Sequence, residues 1–180
     1  VFFNQSQSKI LLNKEVRKAL DLVTPKEEIV DEILGGFGTA INGPLPAGIY
    51  PWALEHASTT SEEKLVQAKK ILSDAGWKLN ANGVLEKKLG KDIITLSFSL
   101  STGDAPELKA VALKLKAAWQ SLGASVEVLV FDTGELNQAV IRPRHFDALL
   151  FGEQIAREAD LYPFWHSSQR NDPGLNIALY

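Results

Sequence analysis

The stretch from Ile94 to Phe131 constrains the fold most, because two strand patterns flank one helix pattern with clear punctuation between them. Ile94, Leu96, Phe98 and Leu100 alternate with Thr95, Ser97 and Ser99, the period of a strand with one buried face and one hydroxyl-bearing face. Asp104-Ala105-Pro106-Glu107 then opens a helix that turns Leu108, Val111, Leu115, Trp119 and Leu122 inward, and Gly123 stops it. Ser125 to Phe131 is rich in β-branched residues and reads as a buried strand. Asp132 or Thr133 can cap a further helix to about Ile141, and residues 146–152 form the next strand. Strands alternating with amphipathic helices predict an α/β layer architecture, with at least three strands neighbouring in a partly parallel sheet.

The preceding half is mostly helical. Asn13 can cap a helix through Val23 that carries Val16, Ala19, Leu20 and Val23 on one face. Thr24-Pro25-Lys26-Glu27 predicts a restart, with Thr24 accepting from orphan N–H groups, Pro25 at the first helical position and Glu27 closing a capping box. Gly35-Gly36 ends that helix. From Gly35 to Trp52 the glycines and prolines forbid regular structure, yet Phe37, Ile41, Leu45, Ile49, Tyr50 and Trp52 predict a loop packed on the body. Thr60-Ser61-Glu62-Glu63 is a second capping box, opening a helix with an apolar stripe of Leu65, Ala68, Ile71, Leu72 and Ala75. Gly76 closes it, with Trp77 placed for the hydrophobic contact of a Schellman ending. Asn82-Gly83 and Gly90-Lys91 are turn signals.

A chain of 180 residues is enough for one domain with its own core, removing about 70% of its unfolded surface from water. The net charge of −3 gives no global electrostatic reason to expect nucleic acid as a partner. The chain has no cysteine, which excludes a disulfide framework, a thiolate metal site and a catalytic thiol. It also has no methionine and opens directly on Val1-Phe2-Phe3-Asn4, which suggests an excised or processed piece of a longer protein. No apolar run approaches the ~20 residues needed to span a bilayer.

Several apparent motifs dissolve on inspection. Gly35-Gly36-Phe37-Gly38 follows a helix and lacks the Gly-Lys-Ser/Thr that completes a phosphate loop. His56, His145 and His166 show no metal-ligand spacing, and Ser167 and Ser168 lie in no Gly-x-Ser-x-Gly elbow, so neither a metal site nor a catalytic residue is expected. Glu153, Glu158 and Asp160 carry more weight because they follow a strand's carboxyl end, where α/β sheets place ligands. Tyr162, Phe164 and Trp165 add aromatic area beside them, and His166 adds a group that can donate or accept, the makings of a binding cleft.

Asn4, the helix from Lys14 to Leu20, Ile29-Val30 and the loop from Asn42 to Gly48, in this order of elements, resemble the family 5 extracellular solute-binding proteins, the oligopeptide, dipeptide and nickel receptors of ABC importers. Ala68-Lys69-Lys70-Ile71-Leu72-Ser73-Asp74-Ala75-Gly76-Trp77 is similar to the family's Ala-x-x-Leu-Leu-x-x-Ala-Gly-Trp signature. Asn82-Gly83, the Trp119-to-Gly123 helix end, Phe146-Asp147 and Tyr162-Pro163-Phe164-Trp165-His166-Ser167-Ser168 fall in register.

The resemblance implies a type II periplasmic-binding-protein-like lobe with a mixed sheet flanked by helices, residues 1–180 corresponding to the C-terminal lobe of a two-lobed receptor. It implies a receptor that is extracellular or periplasmic, with or without a lipid anchor. The receptor would capture a peptide or similar small solute between its lobes and deliver it to a membrane permease, with no cofactor and no chemistry on the ligand. In peptide-binding relatives the strand matching residues 146–152 runs into Gly-Trp-x-x-Asp, whose acid takes the peptide's ammonium. Here Gly152 is kept, Glu153 stands at the Trp position, Ala156 at the acid, and Asp160 is the acid available for the role across a short insertion. The expected ligand wall is therefore Gly152, Glu153, Asp160, Tyr162, Trp165 and His166, with Gly152 allowing close approach, Glu153 the nearest ionisable group and Trp165 either wall or core anchor. Two other readings use the same residues: an oligosaccharide stacked on Trp165 and Tyr162, or a small hydrolase using Asp160 or Glu153 with His166.

Overall fold

A computed structural model of the chain describes residues 1–41, 43, 60–152 and 161–179. The stretch from Ile94 to Phe131 forms the expected strand–helix–strand unit: β5 (Ser97–Gly103), α4 (Pro106–Leu122) and β6 (Ser125–Phe131), with β5 and β6 parallel from Ser97↔Ser125 to Gly103↔Phe131. On the other side of β5 lies β7 (Ala148–Leu150), also parallel, and beyond it β1 (Phe2–Phe3), antiparallel. The main sheet is therefore mixed, in the order β1-β7-β5-β6.

A second, antiparallel sheet of β2 (Lys78–Leu79), β3 (Leu85–Leu89) and β4 (Asp92–Thr95) accounts for the two turn signals, Gly90-Lys91 joining β3 to β4. The alternation from Ile94 to Leu100 thus belongs to two strands in two sheets. Leu96 is the joint between them: its N–H donates to the Leu85 carbonyl (2.7 Å) and its carbonyl accepts from Ser125 N–H (2.8 Å).

The main core fills the space between one face of the mixed sheet and three helices, α1 (Lys14–Leu22), α3 (Ser61–Asp74) and α4. Phe98, Leu100, Val126 and Ala148 come from the strands, Leu96 from the joint between β4 and β5, and Val16, Leu20, Leu72, Leu115 and Trp119 from the helices, all buried. Trp119 sits at the centre. Its ring meets Phe98 (5.6 Å between centroids) and Phe3 (6.1 Å), and its Nε1 donates to the Leu20 carbonyl (3.1 Å) and to Thr24 Oγ1 (3.3 Å), so a large apolar area is buried with its polar atom satisfied.

Helix boundaries follow local chemistry where caps are complete. Asn13 Oδ1 accepts from the N–H groups of Glu15 and Val16, and Thr60 and Glu63 form the reciprocal capping box of α3. Gly76 ends α3, with Trp77 N–H on the Leu72 carbonyl (3.0 Å) and the Trp77 ring buried. Gly123 adopts φ 104°, and a Cβ there would stand 3.0 Å from Leu85 Cγ and 3.1 Å from Leu79 Cδ2, so both conformation and space demand glycine.

Four sequence expectations need correction. Thr24 does not cap the next helix: its hydroxyl donates back to the Leu20 carbonyl (2.8 Å) and accepts from Trp119, while α2 (Lys26–Glu28) begins with no side-chain cap and runs into a π-helix over Ile29–Ile33. Strand β6 is not a fully buried strand: it lies at the sheet's edge, and along the one face that Val126 and Val130 share burial fades from Val126, buried, to Val130, 46% exposed. Strand β7 is three residues long, shorter than residues 146–152. Phe37 is 90% exposed, so that part of the Gly35–Trp52 loop does not pack on the body as far as it is described; Leu45, Ile49, Tyr50 and Trp52 lie outside the described residues.

The second face of the sheet is covered by the π-helix Leu136–Ile141, which continues the exposed α5 (Thr133–Glu135), and by the segment near Ile177. Leu136, Val140, Ile141, Phe146, Leu149 and Ile177 form a second buried cluster there, with Phe2 and Phe131 against it. Asp132 caps α5 as expected, accepting from Glu135 N–H. On this face Asp147 Oδ2 accepts from Ser99 N–H (2.9 Å) and Ser99 Oγ (3.0 Å), which gives the hydroxyl-bearing side of β5 a structural use.

Candidate functional site

Because β5, β6 and β7 are parallel, their carboxyl ends lie along one edge: Gly103 then Asp104, Phe131 then Asp132, and Leu150 then Phe151-Gly152. Thr102 Oγ1 donates to the Leu150 carbonyl (3.1 Å) and ties the ends of β5 and β7 together. Such an edge is where open α/β sheets bind ligands. Gly152 is exposed, and a Cβ on it would meet nothing within 4 Å among the described residues. Glu153 and Asp160, with Ala156 and Glu158, lie outside the described residues.

The aromatic segment forms one helical turn, α6 (Tyr162–Trp165), followed by a 3-10 turn over Ser167–Gln169. Tyr162 is 52% exposed and Trp165 half-buried, so Trp165 is neither a core anchor nor fully on the surface. The Tyr162 and His166 rings stack with centroids 4.5 Å apart and planes 26° from parallel. Ser168 Oγ joins them, 3.1 Å from the Tyr162 hydroxyl and 2.8 Å from His166 Nδ1, while Ser168 N–H donates to the same Nδ1 (3.2 Å). The structure thus brings Tyr162 and His166 together through Ser168. Because the imidazole receives the amide of its own turn, the Ser168–His166 pair is a turn cap.

A buried asparagine holds this turn. Asn176 is 0% exposed; its Nδ2 donates to the His166 carbonyl (3.1 Å), its Oδ1 accepts from Leu179 N–H (2.9 Å), and its own N–H donates to the Gln169 carbonyl (3.0 Å). Its neighbour Ile177 belongs to the second cluster with Leu149 of β7. Gly174 packs so tightly on the backbone of Gln169 that no Cβ fits, and its carbonyl accepts from Arg144 Nη2 (2.6 Å). Arg144 Nη1 donates to the Ile141 carbonyl (2.6 Å) and its own carbonyl accepts from Asn4 Nδ2 (2.7 Å). Burial pushes the guanidinium below its ordinary value and nearby Asp172 opposes that shift.

Asn176 is not singled out by sequence reasoning, and Asp104 is named there only as part of a helix start. Asn176 sits among Asp172-Pro173-Gly174, where an asparagine reads as turn chemistry and gives no signal of burial. Asp104 could have been found by applying the carboxyl-end rule to β5 as well as to β7. Among the described residues no three His, Asp or Glu side chains converge as metal ligands, and no helix is long and apolar enough to cross a membrane.

Parallel strands backed by helices, with a polar and aromatic turn anchored to the same layers, define an α/β protein with a mixed sheet flanked by helices. Residues 1–172 match the model of the bacterial extracellular solute-binding proteins, family 5 Middle, and the chain belongs to that family. Against the oligopeptide-binding protein AppA of Bacillus subtilis it is 29% identical over 180 residues, covering 97% of this chain and 32% of the relative. The structure of AppA in complex with a nonapeptide superposes with a TM-score of 0.83 at 27% identity, covering 99% of this chain and 35% of that one. A dipeptide-binding protein of Pseudomonas aeruginosa is 27% identical over 139 residues, covering 77% of this chain and 24% of the relative. NikZ of Campylobacter jejuni, solved with Ni(L-His), shares the fold with a TM-score of 0.76 at 24% identity over 99% of this chain and 35% of its own. The chain spans about a third of the length of AppA. Its family is one of solute-binding proteins.

Proposed function

We propose that this chain is one lobe of a two-lobed extracellular receptor that captures peptides and hands them to the permease of an ABC importer. The observation that carries this reading is the likeness to AppA, which extends over 97% of this chain by sequence and 99% by fold. In such a receptor the two lobes close by a hinge on the ligand, and the closed form is what the permease reads. The receptor works outside the cytoplasmic membrane, where a lipid anchor would keep it near its permease.

In this lobe Gly152, Glu153 and Asp160, which follow β7, and Tyr162, Trp165 and His166 form the share of the cleft wall. The shared carboxyl edge of the parallel strands, the exposed Phe151-Gly152 that follows β7 and the stacked Tyr162–His166 pair support that assignment. The exposed Tyr162 ring also suits a sugar face, so the test sets peptides against oligosaccharides. Calorimetry of the whole receptor should give saturable heats with peptides of a few to about nine residues and none with the glycans. Glu153→Gln should weaken peptide binding at an almost unchanged melting temperature, and Trp165→Ala should weaken it further. Binding of glycans alone, or peptide affinity indifferent to both substitutions, rejects the assignment.

A further inference from the structure

The hydrogen bonds around His166 fix which of its nitrogens carries the proton, and with it the chemistry the turn offers a ligand. A backbone N–H can only donate, and that of Ser168 points at Nδ1 from 3.2 Å, so Nδ1 offers a lone pair there and the neutral ring carries its hydrogen on Nε2. Ser168 Oγ, 2.8 Å from the same Nδ1, then donates to it, and its own lone pairs are left to accept from the Tyr162 hydroxyl at 3.1 Å. The order Tyr162 O–H to Ser168 Oγ–H to His166 Nδ1 gives each of these hydrogens an acceptor. The lone pair that could have met a cation is occupied from inside the turn.

We propose that Ser168 is a positioning residue that holds His166 as the Nε2–H tautomer, so that this turn presents an N–H donor to a carboxylate or peptide carbonyl oxygen and not a lone pair to a metal or an ammonium. The assignment of ligand class rests on the reading of this turn as cleft wall; the tautomer does not. Asn176 supports the arrangement from below by fixing the His166 carbonyl, so the ring is presented from an anchored backbone.

The test uses the 180-residue chain labelled with nitrogen-15, its three histidines assigned with a His166→Gln variant. The expected signature is a pyrrole-type Nε2, a pyridine-type Nδ1 and a coupling across the hydrogen bond between the Ser168 amide nitrogen and Nδ1. A pyridine-type Nε2, or loss of the coupling in the folded chain, overturns the tautomer. N-acetyl-dialanine, which has a carboxylate and no ammonium, should then shift the His166 Nε2–H resonance at millimolar concentration. Ser168→Ala should weaken that response about two- to tenfold, the range one hydrogen bond commands, and Ser168→Thr should restore it. Paramagnetic broadening of His166 by Ni²⁺ ahead of His56 and His145, with no response to N-acetyl-dialanine, overturns the ligand class. Should Ser168→Ala fail to fold, the wild-type coupling and the two titrations still decide. A receptor that binds peptides while His166 carries its proton on Nδ1 would refute this inference and leave the proposed function standing. A receptor blind to peptides with the tautomer confirmed would do the reverse.

Discussion

At the scale of single residues, the positions that matter most are those where one side chain satisfies several distant backbone groups. Asn176→Ala would remove the buried side chain that bonds the His166 carbonyl and the Leu179 N–H, two part-buried hydrogen bonds whose loss together costs about 1–3 kcal/mol. A chemical denaturation midpoint unchanged from wild type would show that water or a shift of the turn replaces both bonds. Gly123→Ala should cost a similar ~1–3 kcal/mol, because alanine must adopt a left-handed φ and push into Leu85 and Leu79 at once. For a chain of this size that corresponds to a fall in melting temperature of roughly 2–10 °C. Residues of this kind differ in how far sequence reveals them. Gly123 is legible because a helix stripe ends there; Asn176 is not, because its bonds depend on how two loop turns meet. Thr24 shows the same limit in another form. Its place before Pro25 fits a cap, yet Trp119, 95 residues away, supplies a competing donor to its hydroxyl that no local pattern contains.

At the scale of elements, helix α3 has both ends written into its sequence, and its start can be tested electrically as well as sterically. Thr60→Ala removes the hydroxyl that accepts from Glu63 N–H and should lower stability by about 0.5–2 kcal/mol. The reciprocal arm is charged: the Thr60 backbone N–H, and then its hydroxyl, hold the Glu63 carboxyl below the ordinary value of 4.5. A carboxyl depressed in the folded state adds stability above its unfolded value and loses it as pH falls through the folded one. Glu63→Gln keeps an acceptor but cannot titrate, so its stability should fall less steeply than wild type below pH 4.5. Equal acid slopes in the two proteins would sink the electrostatic part while leaving the cap intact. Elsewhere the element scale defeats sequence reading for a definite reason. Alternation persists unbroken from Ile94 to Leu100, so the division at Leu96 between two sheets is decided by which strands arrive on either side, Leu85 from one and Ser125 from the other. The π-helices after Glu28 and Glu135 share apolar residues with the α-helical reading and leave no separate trace in the pattern.

At the scale of the whole molecule, the parallel edge and the layers around it were legible because strand–helix–strand order and patterning agree, whereas Glu153 and Asp160, which lie outside the described residues, are candidates only by their place after a strand. If this lobe supplies one wall of a closing cleft, its affinity alone is fixed by how binding free energy divides. A receptor with Kd of about 1 µM binds with about −8 kcal/mol, and half of that, about −4 kcal/mol, corresponds to about 1 mM. Association costs translational and rotational freedom once per ligand, whether one wall or two receive it, so an isolated wall falls short even of that half. Peptides lie buried over most of their surface in such clefts, and a single lobe leaves one side of the ligand in water. The 180-residue chain should therefore show no measurable heat with micromolar peptide in calorimetry, and only fast-exchange shifts at millimolar concentration in spectra of its amides. The whole receptor should bind the same peptide at least about a hundredfold more tightly, since recovering even 3 kcal/mol from the second wall multiplies the constant by more than that. Matching micromolar constants for chain and receptor would mean that this lobe carries the complete site, and the two-walled reading would have to be abandoned.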